Sequence, residues 1–330
     1  MVRPGANALT DGQLEKNALI KPKALTPGDT VGFITPSTPI FDPDLLSLIK
    51  PGIESFGLKV KIGDYVGKRK ANYEDTLKGR LDDLHTMFAD PEIKGIVATG
   101  GYGASQLLDR IDYNLIRSNP KIFIGYSDVT ALHLAIHKMT KLVTFHGAPT
   151  VESEYTQRHV KEAIFETEPI GLVTNPEKSS GGIRAGLRTV RSGKSTAPLM
   201  GGNLSLIAAT MSTPYEIETD GTIFFIEDVN EEPYRVDRMM THLRLAGKFD
   251  KVKGVVWGIC AECGGLNRTS SGFVYTLGEV IDNLMKPLGV PVLSGMTIGH
   301  TSDRLTLPLG VQGTLDADLG TLEILEPGVI

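Results

Sequence analysis

Short apolar runs alternate with segments of helical periodicity along the first half of the chain. The runs predict strands at 30–35, 58–62, 93–99 and 122–124, and the periodic segments predict helices at 44–56, 76–89, 104–111 and 130–137. One face of the second helix collects the apolar residues Leu77, Leu81, Leu84 and Phe88. Strand and helix alternating at this spacing predict a parallel sheet that is covered on both faces.

The composition changes near residue 166, where Gly, Pro, Ser and Asn begin to cluster. We expect residues 166–195 to form a linker with short edge strands. One strong helix is predicted at 234–246, because Pro233 is favoured in a first helical turn. Short apolar runs around this helix predict strands at 222–227, 252–259, 306–308 and 322–325.

These patterns predict an α/β fold with two domains. A flavodoxin- or Rossmann-like parallel-sheet domain is expected over 24–165, and a smaller, strand-rich α+β domain over 196–330. Residues 1–23 mix Pro, Gly, Asn, Asp and Lys, so we expect a loose arm before the first domain. Ligands of parallel sheets bind at the carboxyl ends of the strands, where the loop 100–103 and Ser127 both fall.

Composition and charge exclude several classes of protein. The 330 residues are 41% apolar and 22% charged, as in an ordinary globular protein. The net charge is −5 and no basic block occurs, so a nucleic-acid partner is not expected. No apolar run approaches 18 residues, which argues against a membrane partner, and residues 1–23 lack the apolar core that a signal peptide needs. A cytoplasmic protein is therefore expected.

The two cysteines, Cys260 and Cys263, follow a predicted strand with two residues between them. A structural zinc site needs four ligands, and the sequence holds no second pair of cysteines. We expect buried, reduced thiols here in preference to a redox pair, and no metal.

Several motifs resemble known sites only in part. The run Gly193-Lys-Ser-Thr196 ends like a phosphate-binding loop, but Arg188 stands where that loop needs its first glycine. The loop 100–103 follows a strand, yet Gln106 occupies the third glycine position of a dinucleotide fingerprint. A nucleotide-binding oxidoreductase is therefore disfavoured, and no cofactor is expected.

A pair of histidines, His133 and His137, has the helical spacing of a zinc site. Leu134 replaces the glutamate of the metalloprotease motif, and the helix carries mostly apolar residues. We expect both histidines to be structural.

A strand-to-helix turn at Ser127 is the strongest chemical feature of the chain. Such a turn lifts the hydroxyl off the sheet and points the following backbone N–H groups at the atom that the hydroxyl attacks. The nucleophile pattern G-x-S-x-G is incomplete, because Val129 replaces its last glycine. A helix N-cap, formed by Ser127 or by Asp128, is the alternative interpretation.

An activated serine needs a base, and the base needs a group that orients it. Glu227 ends an apolar strand, and His300 lies in a loop of small residues; these two would act as the orienting acid and the base. Each has a structural alternative, a helix-dipole or salt-bridge acid for Glu227 and a loop histidine for His300. The N–H of Asp128 and an amide of the loop 100–103 would stabilise the oxyanion.

Taken together, several ordered motifs between residue 25 and about residue 318 resemble the LD-carboxypeptidase family of serine peptidases, which includes the microcin C7 immunity proteins. The resemblance rests on Gly100-Gly-Tyr-Gly103, Gly125-Tyr-Ser-Asp-Val-Thr-Ala-Leu132, Thr144-Phe-His-Gly147, Gly201-Gly-Asn-Leu-Ser205, Ile226-Glu-Asp-Val229, Pro233-Tyr-Arg-Val-Asp-Arg238, Gly299-His300 and Thr306-Leu-Pro-Leu309.

The resemblance implies a catalytic triad of Ser127, Glu227 and His300 in the cleft between the two domains. It implies oxyanion donors from the backbone of Gly101 and Asp128, no metal, and a homodimer. The implied substrate is a small peptide, the murein tetrapeptide, which is cut between the L-centre of the diamino acid and the terminal D-alanine.

Two positions depart from the family pattern. Thr99 stands where many members carry an arginine, and Arg304 stands where a small amide residue is typical. We expect Thr99, Tyr102 and Arg304 to line the substrate cleft, so these departures bear on the substrate more than on the mechanism. Hydrolysis of aminoacyl-nucleotide antibiotics is the alternative activity, and a non-catalytic module that binds peptidoglycan fragments is the alternative from another class.

Overall fold

A computed structural model of the chain describes residues 18–37, 43–68, 72–148, 153–177, 186–264 and 275–330, with the backbone alone over 43–48. The strands of these residues are β1 (Thr30–Ile34), β2 (Lys59–Ile62), β3 (Ile93–Ala98), β4 (Ile122–Gly125), β5 (Phe145–His146), β6 (Gly171–Val173), β7 (Arg188–Arg191), β8 (Lys194–Asn203), β9 (Ile223–Val229), β10 (Gly254–Ala261), β11 (Val292–Met296), β12 (Leu307–Pro308), β13 (Gln312–Asp316) and β14 (Thr321–Ile324). The helices are α1 (Pro43–Glu54), α2 (Tyr73–Ala89), α3 (Tyr113–Ser118), α4 (Thr130–Thr140), α5 (Glu154–Ile164), α6 (Leu204–Ala209), α7 (Pro233–Leu245) and α8 (Leu277–Met285).

The first sheet has the strand order β12-β5-β4-β3-β1-β2. Strands β1 to β5 are parallel, and β12 joins the edge of the sheet antiparallel to β5. The four residues of β4 are all buried, as expected for a strand in a sheet that is covered on both faces. Asn72 is the N-cap of helix α2, and its side chain accepts a hydrogen bond from the backbone N–H of Asp75.

The second sheet has the order β6-β14-β13-β8-β9-β10-β11-β7. Its centre, β8 to β11, is parallel, and the strands on both sides are antiparallel. Strands β6 and β7 come from residues 166–195 and form the two opposite edges of this sheet. The predicted α/β architecture, a parallel-sheet domain joined to a strand-rich domain, is confirmed.

The two halves of the chain are interlocked. Strand β12 comes from the second half of the sequence but pairs with β5 of the first sheet. On the other side, Ile20 forms a bridge with Leu142, and the N–H of Ile330 donates to the carbonyl of Pro22. The described end of the expected arm is therefore held by the fold, while residues 1–17 of that arm lie outside the described residues.

The helix predicted at 104–111 is wrong in extent. The chain forms a short 3-10 turn at Ala104–Leu107, which follows Gly103 in the left-handed region with φ of 102°. A separate helix, α3, then begins at Asp112, whose carboxylate accepts the N–H groups of Asn114 and Leu115. Regular α-helix therefore starts only after the segment that the apolar pattern predicted to be helical.

The expectation of reduced, buried thiols is also wrong. A disulfide joins Cys260 and Cys263, and both residues are half-buried. The turn after β10, with Glu262 in the left-handed region, brings the two Cα atoms to 5.3 Å, a separation that disulfides favour. Over the part of the chain that is described, no helix is long and apolar enough to cross a membrane.

Candidate active site

Strand β4 ends at Gly125, and the backbone then turns sharply at Ser127. Ser127 has a φ of 62°, in the left-handed region that residues with a side chain rarely adopt. A 3-10 turn at Ser127–Val129 leads from this residue directly into helix α4. The loop beside it leaves no room for a side chain, because a Cβ on Gly100 would lie 2.9 Å from the Cβ of Ser127. Strained backbone of this kind is typical of functional sites.

The hydroxyl of Ser127 lies beside the imidazole of His300. Their Oγ and Nε2 atoms are 3.0 Å apart, across 173 residues of sequence. The other ring nitrogen of His300, Nδ1, is 2.8 Å from Oε2 of Glu227. Since a carboxylate only accepts, Nδ1 carries the proton and Nε2 is left to accept from the serine. The structure therefore brings all three expected residues into one hydrogen-bonded chain.

The N-cap interpretation of Ser127 is wrong. Helix α4 has Val129 at its N-cap position, and no side chain caps it. Asp128 does not cap this helix either, because one of its oxygens accepts from the Ser37 hydroxyl at 2.6 Å and from the Ala104 N–H at 2.7 Å. Asp128 thereby ties the end of β1 and the loop 100–103 to the serine turn.

Burial differs along the hydrogen-bonded chain. The Glu227 side chain is fully buried, whereas the His300 side chain is 18% exposed. Glu227 reaches His300 because Gly299 has no Cβ, which would overlap Oε2 of the glutamate. Gly299 also has a φ of 91°, so a side chain would be strained there as well as crowded. A glycine is therefore required beside His300, because the Glu227 side chain packs directly against this position.

The neighbouring Asp228 points to other partners, as alternation along β9 requires. Its oxygens accept from the Asn203 amide at 2.9 Å and from the Ser205 hydroxyl at 2.8 Å. Burial raises the pKa of Asp228, with these hydrogen bonds acting in the opposite direction. This residue anchors the start of helix α6, a role that the sequence motif did not reveal.

Arg304 is buried and braces the loop that carries His300. Its Nε donates to the carbonyl of Gly299 at 2.6 Å, and its guanidinium lies 4.3 Å from the ring centre of Tyr126. The Tyr126 ring in turn meets the His300 ring edge-on, with centres 5.1 Å apart. Arg304 is only 4% exposed, so its main contacts are with the protein.

Of the other two residues expected in the cleft, Thr99 directly precedes the loop 100–103 and Tyr102 belongs to it. Tyr102 is 75% exposed, and Thr99 is half-buried. Gly101 in the same loop has a φ of 141°, which favours glycine. The roles of the Gly101 and Asp128 amides as oxyanion donors stay a prediction.

The two helical histidines are structural, as expected. His133 donates from Nε2 to the carbonyl of Gly125, at 2.9 Å, and His137 donates from Nδ1 to the carbonyl of Leu142, at 3.2 Å. Burial lowers the pKa of each to about 4, so both are neutral near pH 7. Within the described ranges, no group of three or more His, Cys, Asp or Glu residues is placed to hold a metal ion.

The fold and the site together are those of a two-domain hydrolase with a serine at a strand-to-helix turn. Sequence comparison identifies the family: residues 31–147 match the LD-carboxypeptidase N-terminal domain, and residues 196–315 match the LD-carboxypeptidase C-terminal domain. The chain belongs to the LD-carboxypeptidase family and is a peptidase by that membership.

Relatives of known name cover almost the whole chain. The probable murein peptide carboxypeptidase of Bacillus subtilis is 38% identical over an alignment of 318 residues, which covers 94% of this chain and 95% of the relative. The microcin C7 self-immunity protein MccF of Escherichia coli is 30% identical over 334 residues, covering 92% of this chain and 94% of that protein.

Solved structures agree with the fold. MccF in complex with glutamyl sulfamoyl guanosine superposes with a TM-score of 0.82 at 29% identity, over 94% of this chain and 99% of MccF. The muramoyltetrapeptide carboxypeptidase of Oxalobacter formigenes has a TM-score of 0.75 at 26% identity, over 90% of this chain and 99% of that enzyme.

Proposed function

We propose that this protein is a serine carboxypeptidase that releases terminal D-alanine from murein tetrapeptide by hydrolysing an L,D-peptide bond. The observation that carries the proposal is the chain of contacts from Ser127 through His300 to Glu227. The 38% identity to a probable murein peptide carboxypeptidase supports the substrate class.

The proposed reaction begins with removal of the Ser127 proton by Nε2 of His300, as Oγ attacks the scissile carbonyl carbon. Glu227 accepts the Nδ1–H of His300 and stabilises the imidazolium that forms. The backbone N–H groups of Gly101 and Asp128 donate to the oxyanion. The imidazolium then protonates the leaving amine, and D-alanine departs.

An ester between Ser127 and the remaining tripeptide is left after this step. His300 now takes a proton from a water molecule, and the hydroxide attacks the ester carbonyl. Collapse of the second oxyanion returns the proton to Oγ and frees the shortened peptide. No metal or cofactor takes part in the proposed sequence of steps.

The first test is the variant Ser127→Ala. Because triad members act as a unit, we expect it to lower kcat by a factor on the order of 10⁴. Release of D-alanine from murein tetrapeptide measures this rate, and a thermal melt shows whether the variant is folded. Activity near that of the wild type would remove Ser127 from the mechanism.

A second candidate activity is hydrolysis of aminoacyl sulfamoyl nucleotides. It is favoured by the TM-score of 0.82 to MccF in complex with glutamyl sulfamoyl guanosine. Rates on murein tetrapeptide and on an aminoacyl sulfamoyl nucleotide, measured side by side, separate the two substrates. The two activities share the same mechanism, so only the leaving group and its binding differ.

Fluorophosphonate labelling distinguishes both activities from a module that only binds peptidoglycan fragments. A serine hydroxyl without a base does not react with this probe, whereas a base-activated serine does. We expect wild-type protein to be labelled at Ser127.

We also propose that the protein acts in the cytoplasm as a homodimer, without a nucleic-acid or membrane partner.

A further inference from the structure

His146 lies directly behind the triad, in a part of the molecule that the proposed mechanism does not use. It is the last residue of β5, between Gly125 of β4 and Leu307 of β12 in the sheet. Its side chain is fully buried. The ring meets Phe225 of the second sheet edge-on, with centres 5.5 Å apart, so the imidazole bridges the two domains.

Two buried polar groups face each other at this point. Among the described residues, neither nitrogen of His146 has a hydrogen-bond partner, and neither does Oε1 of Glu227. Nε2 of His146 and Oε1 of Glu227 are 3.9 Å apart. A buried polar group without a partner is costly, so two such groups at this distance favour pairing. The two atoms must come about 1 Å closer to each other to form a hydrogen bond to a carboxylate.

The charges around His146 keep it neutral. Burial lowers its pKa well below the usual value, and the nearby His133, His300 and Arg304 act in the same direction. Glu227 is the acidic group that faces it. A neutral imidazole with its proton on Nε2 is a donor, which is what an ionised carboxylate oxygen requires.

We propose that His146 is a positioning residue of the triad: its Nε2–H donates to Oε1 of Glu227 and holds the carboxylate directed at His300. This inference rests on the proposed function, because it assigns a role within the same site. Glu227 then accepts two hydrogen bonds, Oε2 from His300 and Oε1 from His146.

The expected consequence concerns the orientation of Glu227. A buried carboxylate oxygen without a hydrogen-bond partner is costly. Without the His146 donor, Oε1 of Glu227 has no such partner, so the carboxylate is free to turn away from His300. His300 then loses part of the contact that orients its ring, and Ser127 becomes less reactive.

The test is the rate of fluorophosphonate labelling of Ser127 at one fixed pH, which needs no knowledge of the substrate. His146→Gln keeps an N–H donor, and His146→Met has similar length without one. We expect the methionine variant to be labelled at least tenfold more slowly than wild type. The glutamine variant is expected to retain most of the rate, because it restores a donor to Oε1 of Glu227.

His137→Phe is the control for loss of a buried imidazole away from the triad, and thermal melts show that each variant is folded. The inference is overturned if the methionine variant reacts as fast as wild type, or if both variants slow equally. The second outcome indicates packing alone. If wild-type protein is not labelled at all, the proposed function itself fails, so the two failures are distinguishable.

Discussion

Gly299 illustrates how a single residue type decides whether the histidine and the acid meet. Its missing Cβ leaves the space that Oε2 of Glu227 occupies, and its φ of 91° turns the chain so that His300 faces Ser127. On the other side of His300, Arg304 bonds the Gly299 carbonyl and stacks on Tyr126. The imidazole is therefore placed by contacts on both sides.

Gly299→Ala is expected to lower kcat of the proposed hydrolysis by at least about 100-fold, because Glu227 must move away from the new methyl group and His300 loses its orienting partner. Steady-state kinetics of D-alanine release measure the effect. Gly289→Ala is the matched control: its φ is 77°, but no atom lies within 4 Å of its Cβ position. Equal losses in the two variants would show that backbone strain, not the clash, is responsible.

At the scale of elements, helix α4 combines two functions. Its first turn follows the serine, and its body is packed in the core, where each residue from Thr130 to His137 is buried. A helix that is buried nearly all round is held on several sides, which keeps the serine turn rigid. His133 adds a direct link, since it donates to the carbonyl of Gly125 at the end of β4.

The buried histidines of α4 make the fold sensitive to acid. Burial depresses the folded-state pKa of His137 to about 4, against an unfolded value of 6.5. The unfolded chain therefore binds more protons between these values, and the free energy of unfolding falls as the pH drops from 6.5 towards 4. Near pH 5 the loss from one such histidine is about 2 kcal/mol.

His137→Phe removes one of these titrating groups. We expect the variant to be less stable than wild type at pH 7, because it lacks the hydrogen bond to Leu142. Its free energy of unfolding is expected to fall by ~2 kcal/mol less than that of wild type between pH 7 and pH 5. Urea unfolding at the two pH values measures the difference. An identical drop in both proteins would mean that the folded-state pKa of His137 is not lowered.

At the scale of the whole molecule, the site exists because the two sheets are locked together. Ser127 follows the first sheet, Glu227 belongs to the second, and His300 lies in the loop before β12. Strand β12 pairs with β5, so the chain that carries His300 is fastened to the sheet that carries Ser127. His146 sits in the same pair of strands.

Gly147→Ala tests this coupling of the domains. A Cβ at Gly147 would lie 2.5 Å from Oγ1 and 3.0 Å from Cα of Thr306, so β12 must shift away from β5. We expect the rate of Ser127 labelling to fall at least tenfold, since the segment that leads from His300 moves with β12. Gly278→Ala, an exposed helical position, is the control and is expected to label as wild type. A shift of β12 that leaves the rate unchanged would contradict the coupling.

The sequence by itself determined the order and type of most elements, because apolar periodicity is a local property. It also singled out Ser127, Glu227 and His300, although the first rested on an incomplete motif and each of the others had a structural alternative. It failed where the outcome depended on a local cap or turn. After Gly103, in the left-handed region, the chain forms only a short 3-10 turn where a helix was expected at 104–111, and the turn at Glu262 brought Cys260 and Cys263 together.

Only the tertiary structure decided which of these residues touch. Ser127 and His300 are 173 residues apart, and no spacing rule reaches across that length. It also decided that Arg304 supports the His300 loop from a buried position, and that His146 faces Oε1 of Glu227. The physical reason is that the contacts of Ser127 with His300 and of His146 with Glu227 require two sheets to be packed against each other, whereas the hydrophobic pattern specifies each sheet separately.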